Sequence, residues 1–186
     1  SRFNRIKKTA TEKIGEMKLR EYDSAVIFDM LNLIKNAKLE LNKNEFTAFC
    51  NLVIEDWLKL IAPVCPHIAE ELWHKLGKKS FVSFEKWPSF DIKKIDDKLE
   101  EKEKEVEKTI EDVKNILKLL KEKHGKEGKK IYLYVLPNEK SNYDSAKLSK
   151  RLEKAVKVFA VNDKSKYDPQ NKSKNVKPGR PGIFVE

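Results

Sequence analysis

The chain has 186 residues, 39% of them hydrophobic and 38% charged, and its 40 basic against 30 acidic side chains leave a net charge of +10. Apolar residues at that level can bury a core, which excludes a wholly disordered chain; no run approaches the roughly 18 apolar residues of a membrane span, and the opening Ser1-Arg2-Phe3-Asn4-Arg5 lacks the apolar stretch of a signal peptide. Two cysteines, Cys50 and Cys65, cannot build a disulfide framework, so a reducing, cytoplasmic setting is expected, and the basic excess favours a polyanionic partner, most simply nucleic acid.

Residues 1–90 read as helices. Phe3, Ile6, Ala10, Ile14 and Met17 recur every three or four positions, which sets them on one helix face. A second run, Val26, Ile27, Met30, Leu31 and Ile34, follows Asp23 as a predicted N-cap. A third starts near Asn44, with Phe46, Phe49, Cys50, Val53, Trp57, Leu60 and Ile61 as its stripe, and Pro63 stops it. Pro66 suits the first position of a fourth helix through Ile68, Ala69, Leu72, Trp73 and Leu76, with Gly77 as its stop. Short helices with apolar faces can bury them only against one another, which predicts a bundle. Residues 78–90 are expected to lie back on it through Phe81, Phe84 and Trp87.

Residues 91–128 read as one long, linking amphipathic helix. Ile92, Ile95, Leu99, Val106, Ile110, Val113, Leu117 and Leu120 form a heptad-like seam, interrupted once near Lys102 and Glu103. Its Glu and Lys residues form a solvated face, and Gly125 and Gly128 end it.

Residues 129–186 change period. Ile131-Tyr132-Leu133-Tyr134-Val135-Leu136 predicts a strand, residues 144–156 a helix, Val158–Val161 a second strand and Ile183–Val185 a third. The fold class expected is mainly α: a helical bundle with a long amphipathic helix, followed by a small α+β domain. The basic excess concentrates at the end, since residues 131–186 carry 12 basic and 6 acidic side chains. There Lys164, Lys166, Lys172, Lys174, Lys177 and Arg180 face few acids, and Tyr167 and Phe184 add rings that can stack on unpaired bases. A flexible solvated loop is the competing reading.

No catalytic constellation emerges. Cys50, Cys65, His67 and His74 match no metal-ligand spacing. Glu70 and Glu71 point about 100° apart on a helix and cannot flank one substrate atom; a role near the helix N-terminus is expected instead. Phosphate-loop and dinucleotide-binding glycine patterns are absent from the sequence.

Leu60-Ile61-Ala62-Pro63-Val64-Cys65-Pro66-His67-Ile68-Ala69-Glu70-Glu71-Leu72-Trp73 closely resembles the L-x-P-x-x-P-H-I-A-E-E-L-W signature of the anticodon-binding bundle of class I aminoacyl-tRNA synthetases, and Phe81–Pro88 fits the segment that follows it. The leucine, isoleucine, valine and methionine enzymes share that signature. The strand 131–137, the Asp168-Pro169 turn and the closing Pro178-Gly179-Arg180-Pro181-Gly182-Ile183-Phe184-Val185-Glu186 look like the C-terminal domain of archaeal-type leucyl-tRNA synthetases. Their tail typically reads P-G-R-P-A-I-Y-I-E, so Gly182 replaces an alanine and Phe184 a tyrosine.

The resemblance implies a C-terminal fragment of a leucine–tRNA ligase, divided into a bundle (1–90), a linking helix (91–128) and a small tRNA-binding domain (129–186). The ATP-site motifs H-I-G-H and K-M-S-K-S are absent; Asp163-Lys164-Ser165-Lys166 echoes the latter only superficially. No catalytic residue, metal or cofactor is therefore expected in this chain, while the parent enzyme would use ATP and Mg. The implied partners are leucine tRNA, through its long variable arm, and the catalytic domain of the same parent chain; the state expected is a monomer, with no membrane partner. Carried onto this sequence, Pro178–Glu186 is the base-reading element: Lys177 and Arg180 are candidates for phosphates, Phe184 for packing or stacking, and Ile183, Phe184 and Glu186, with the terminal carboxylate, for bases. Lys172 and Lys174, from the basic tail, are further tRNA-binding candidates. Lys7, Lys8, Lys75 and Lys78 are weaker candidates for the tRNA body. Two alternatives stand: the anticodon-binding region of an isoleucyl- or valyl-tRNA synthetase, and a non-enzymatic module whose seam binds a partner helix.

Overall fold

The computed structural model describes residues 1–125 and 128–186. It is mainly α-helical, with a three-stranded sheet near its end, and divides into two compact units, Ser1–Asp96 and Asp97–Glu186.

The first unit is the helical bundle. α1 (Arg2–Gly15) buries Ile6 and Ala10, with Phe3 and Ile14 packed beside them. Met17, predicted on the same stripe, lies past the helix end at φ 58 and is exposed, because the helix stops two residues earlier. Residues 19–40 are one helical run: α2 (Leu19–Asp23), a wider π turn (Ser24–Asp29) and α3 (Met30–Glu40). Asp23 is therefore no N-cap; its backbone is helical and the run continues through it. At the wide turn the Val26 carbonyl accepts from Trp57 Nε1 at 2.8 Å, a cross-helix bond.

α4 (Lys43–Ile61) starts one position earlier than expected. Asn42 caps it: Asn42 Oδ1 accepts from the Glu45 amide, and Glu45 accepts from the Asn42 amide. Val53, Leu58, Leu60 and Ile61 are buried, and the Tyr22 hydroxyl donates to the Leu60 carbonyl. α5 (Pro66–Lys75) opens on Pro66 and buries Ala69 and Trp73. Ile68, Leu72 and Leu76, predicted in its apolar stripe, are exposed within this unit. The segment after it docks through Val82, which is buried, whereas Phe81 and Phe84 are exposed. Glu70, expected to serve its own helix start, accepts from the Val82 and Ser83 amides at 2.9 and 3.3 Å. Burial raises its carboxyl pKa, but these bonds outweigh that and hold it below the ordinary value. Trp87 contacts the bundle through Nε1, which donates to Thr11 Oγ1 at 2.8 Å.

The second unit starts with α6 (Asp97–His124). Ile92 and Ile95 precede it, so the helix is shorter at its start than the seam predicts. Ile110 and Val113 are buried, with Val106 and Leu117 beside them, against the sheet. The seam thus forms a core within this unit rather than a bare link. β1 (Lys130–Val135) is the middle strand. α7 (Ser145–Leu152) is capped by Asp144 and leads to β2 (Ala155–Ala160), which pairs parallel with β1. Ala155, predicted helical, opens β2, because Glu153 turns the chain at φ 53. β3 (Gly182–Val185) pairs antiparallel on the other edge, in the order β2-β1-β3.

The register divides the sheet chemically. Ile131, Leu133 and Val135 stand level with Val156, Val158 and Ala160 on one side and, for the first two, with Val185 and Ile183 on the other. Alternation puts all of these on the face packed by α6 and α7. The opposite face carries Tyr132, Tyr134, Lys157, Phe159 and Phe184.

Candidate nucleic-acid interface

The loop between β2 and β3 is bonded at several points. Asp168 accepts from the Lys172 and Ser173 amides at 2.8 and 2.9 Å. Burial alone would raise the Asp168 pKa, but the Ser173 and Lys172 bonds outweigh it and hold the carboxyl below the ordinary aspartate value. Asp163 accepts from the Ser165 amide and hydroxyl, and those bonds likewise lower its pKa. The Tyr134 hydroxyl donates to the Tyr167 carbonyl, and Lys166 Nζ donates to the Val161 carbonyl. Both acids of the loop are therefore spent on its own amides and hydroxyls.

Lys177 and Arg180 come together across a tight turn. The Lys177 amide donates to the Arg180 carbonyl at 3.1 Å, and the Arg180 amide returns a bond of 2.9 Å. Pro178 and Gly179 are the turn's middle residues, and Gly179 sits at φ +66, which an L side chain rarely adopts. The Gly179 amide donates to Glu139 Oε1 at 3.1 Å, pinning the turn. Lys174, Lys177 and Arg180 are exposed and form no ion pair among the described residues; Lys172 is half-buried.

β3 splits the predicted base-contacting residues between two faces. Phe184 lies on the aromatic face, 5.8 Å from the Tyr132 ring and 27° from parallel. The Glu186 carboxylate reaches that same ring, accepting from the Tyr132 hydroxyl at 3.2 Å. Its main-chain oxygen accepts from the Lys129 and Lys130 amides, which anchors the strand end. Ile183 packs toward the helices. Burial, and then Glu186, push the Tyr132 phenol pKa up.

The four bundle lysines belong to the other unit and are all engaged. Lys7 is held to Asp56 at 3.1 Å, with its side chain only 12% exposed. Lys8 pairs with Glu12 at 3.8 Å and Lys75 with Glu71 at 2.6 Å. Lys78 pairs with Glu55 at 2.7 Å and lies over the Trp73 ring. Paired charges offer a phosphate less than unpaired ones, because an existing partner must first be displaced.

Sequence reasoning passed over Tyr132, Lys157 and Phe159. For Tyr132 the signal is the alternation of tyrosines with aliphatic residues in 131–135, which assigns the rings to one face once the strand is known; Lys157 and Phe159 join that face only through the parallel register.

A family model described as the anticodon-binding domain of tRNA ligase matches residues 1–133. Among similar proteins, a leucine–tRNA ligase of Staphylothermus marinus is 36% identical over 67% of this chain and 13% of its own length. Leucine–tRNA ligase 2 of Metallosphaera sedula is 35% identical over 73% of the chain and 14% of its own length. A leucine–tRNA ligase of Methanothrix thermoacetophila is 24% identical over 100% of the chain and 25% of its own length. The chain thus spans a quarter or less of these relatives.

Proposed function

This chain belongs to the family of anticodon-binding domains of tRNA ligases, and we propose that it is the tRNA-binding C-terminal portion of an archaeal-type leucine–tRNA ligase. In this reading it holds leucine tRNA by its body and its long variable arm, while a catalytic portion of the same protein carries out aminoacylation with ATP and Mg. It acts as a positioning element in the cytoplasm and contributes no reacting group.

The observation that carries this reading is the contrast between the two sets of cations. Every bundle lysine singled out from the sequence is paired with an acid. Lys174, Lys177 and Arg180 are exposed and unpaired among the described residues, next to the strand that bears Phe184 and leads into Glu186. Exposed cations suit phosphates, and an adjacent ring and carboxylate suit the bases of an unpaired loop.

The test is binding of the 186-residue chain to leucine tRNA with the variable arm intact and with that arm cut short, at one near-physiological salt concentration. Selective loss with the short arm is expected. Equal affinity for both would remove the variable arm from the interface. Affinity lost on swapping anticodon nucleotides would transfer the assignment to an anticodon reader.

A further inference from the structure

The two faces of the sheet are built from different chemistry. The helix-packed face is aliphatic: Ile131, Leu133, Val135, Val156, Val158, Ile183 and Val185. On the other side three rings lie within reach of Tyr132. Phe159 is 6.4 Å from it and 17° from parallel; Phe184 is 5.8 Å away at 27°. Tyr167 comes in from the loop, 5.1 Å from Tyr132 and tilted by 52°. Tyr132 and Tyr134 are buried, but Phe159 and Phe184 are only partly covered, and Tyr167 is 47% exposed. Packing alone does not call for an exposed ring here, since the loop is already tied to the sheet through the main-chain carbonyl of residue 167, which any amino acid supplies. Lys157, exposed, stands directly across from Tyr132 on β2.

We propose that this face is a stacking platform for one unpaired RNA base, taken on the exposed Tyr167 ring and flanked by Phe159 and Phe184, with Lys157 meeting the adjoining phosphate. The proposal rests on the tRNA-binding reading above and extends it to Tyr167, Phe159 and Lys157, which that reading does not use. A base offers a flat π face of any sequence, so rings at the edge of a basic loop recognise splayed nucleotides without a hydrogen-bond code. The Glu186 carboxylate at the Tyr132 hydroxyl adds an acceptor on the same face. Charge agrees, because residues 131–186 carry 12 basic and 6 acidic side chains.

The experiment uses two probes: leucine tRNA with 2-aminopurine in its variable-arm loop, and a short single-stranded RNA carrying the same fluorescent base. The variants are Tyr167→Ala, Tyr167→Phe, Phe159→Leu and Lys157→Ala. Tyr167→Ala keeps the carbonyl that Tyr134 holds, and Phe159→Leu keeps apolar volume while removing a π face. Stacking predicts quenched fluorescence with the unaltered chain and with Tyr167→Phe. With Tyr167→Ala, affinity falls roughly tenfold, quenching is lost and the salt slope stays unchanged. Phe159→Leu weakens binding in the same sense. Lys157→Ala lowers the salt slope by about 1 and leaves the quenching in place. Equal affinity and quenching for Tyr167→Ala and the unaltered chain would overturn the platform, as would no binding of either probe. If Tyr167→Ala loses binding while long- and short-armed tRNA bind alike, the platform stands and the variable-arm assignment falls.

Discussion

Gly182 opens the strand that carries Phe184 and leads into Glu186, and the resemblance to archaeal-type leucyl-tRNA synthetases puts an alanine at that place. In this chain a Cβ there would lie 2.5 Å from the Lys172 carbonyl oxygen, 3.1 Å from its carbon and 3.3 Å from Val176 Cγ2. An ordinary carbon–oxygen contact is about 3.3 Å or longer. Gly182→Ala therefore forces the 172–176 segment or β3 to give by about 0.8 Å, the difference between that contact and the 2.5 Å spacing. The obstacle is backbone, which cannot swing aside as a side-chain tip can. Gly182 is not among the residues with positive φ, so the cost is steric rather than conformational. Overpacking of this kind costs about 1–3 kcal/mol, and the stiffer unfolded chain offsets about 0.4–1 kcal/mol. A net loss of about 1–2 kcal/mol remains, roughly a five- to thirtyfold change in an opening equilibrium. Hydrogen exchange read by mass spectrometry should show that loss in peptides covering β3 and its partner β1, with α4 in the other unit as the reference. Protection of β3 equal to or above that of the unaltered chain would show that the strand accommodates the methyl group at no cost.

Three further outcomes follow from the same geometry. Lys177→Ala and Arg180→Ala should each weaken tRNA binding by about 1 kcal/mol at modest salt and flatten the salt dependence; a double variant with unchanged affinity would take the turn out of the interface. Arg151 reaches Glu107 on α6 with two bonds of 2.8 and 2.6 Å, and its side chain is only 10% exposed against 31% for Glu107. Arg151→Ala should destabilise the second unit by about 1–3 kcal/mol, the lower part of that range reflecting Glu107's access to water; unchanged exchange in α6 and α7 would contradict this. Burial pushes the phenols of Tyr22, Tyr132, Tyr134 and Tyr143 above the ordinary value of 10, Tyr134 to about 12. A phenol whose pKa is raised on folding contributes stability that is present below pH 10 and is lost as pH climbs through the folded value. Alkaline titration by tyrosinate absorbance should show these groups ionising late, together with unfolding. All five tyrosines ionising near pH 10 in a still-folded chain would contradict the burial.

The four bundle helices and the strand at 131–135 were legible because each repeats its apolar residues at the period of its own backbone. The boundaries that slipped share one cause. Asp23 is a good capping residue, yet a cap forms only where the chain leaves helical geometry, and α2 runs on through a π turn; the start of α4 is set by the Asn42–Glu45 pair, one position before Asn44. The aromatic platform was half legible: Tyr167 and Phe184 stood out among unpaired lysines, whereas Phe159 and Lys157 looked like ordinary strand residues until parallel pairing set them beside Tyr132 and Tyr134.

Periodicity, turn residues and the uneven charge are local properties, so the helical bundle, the change to strands after residue 129 and the basic end can be read along the chain. Which lysines remain unpaired and which side of the sheet is aromatic depend on how distant segments pack. Ion pairing depends on neighbours distant in the chain, such as Asp56 for Lys7, and the ring cluster depends on registers between strands some 25 to 50 residues apart. Contacts of that kind follow from packing, which no local pattern encodes.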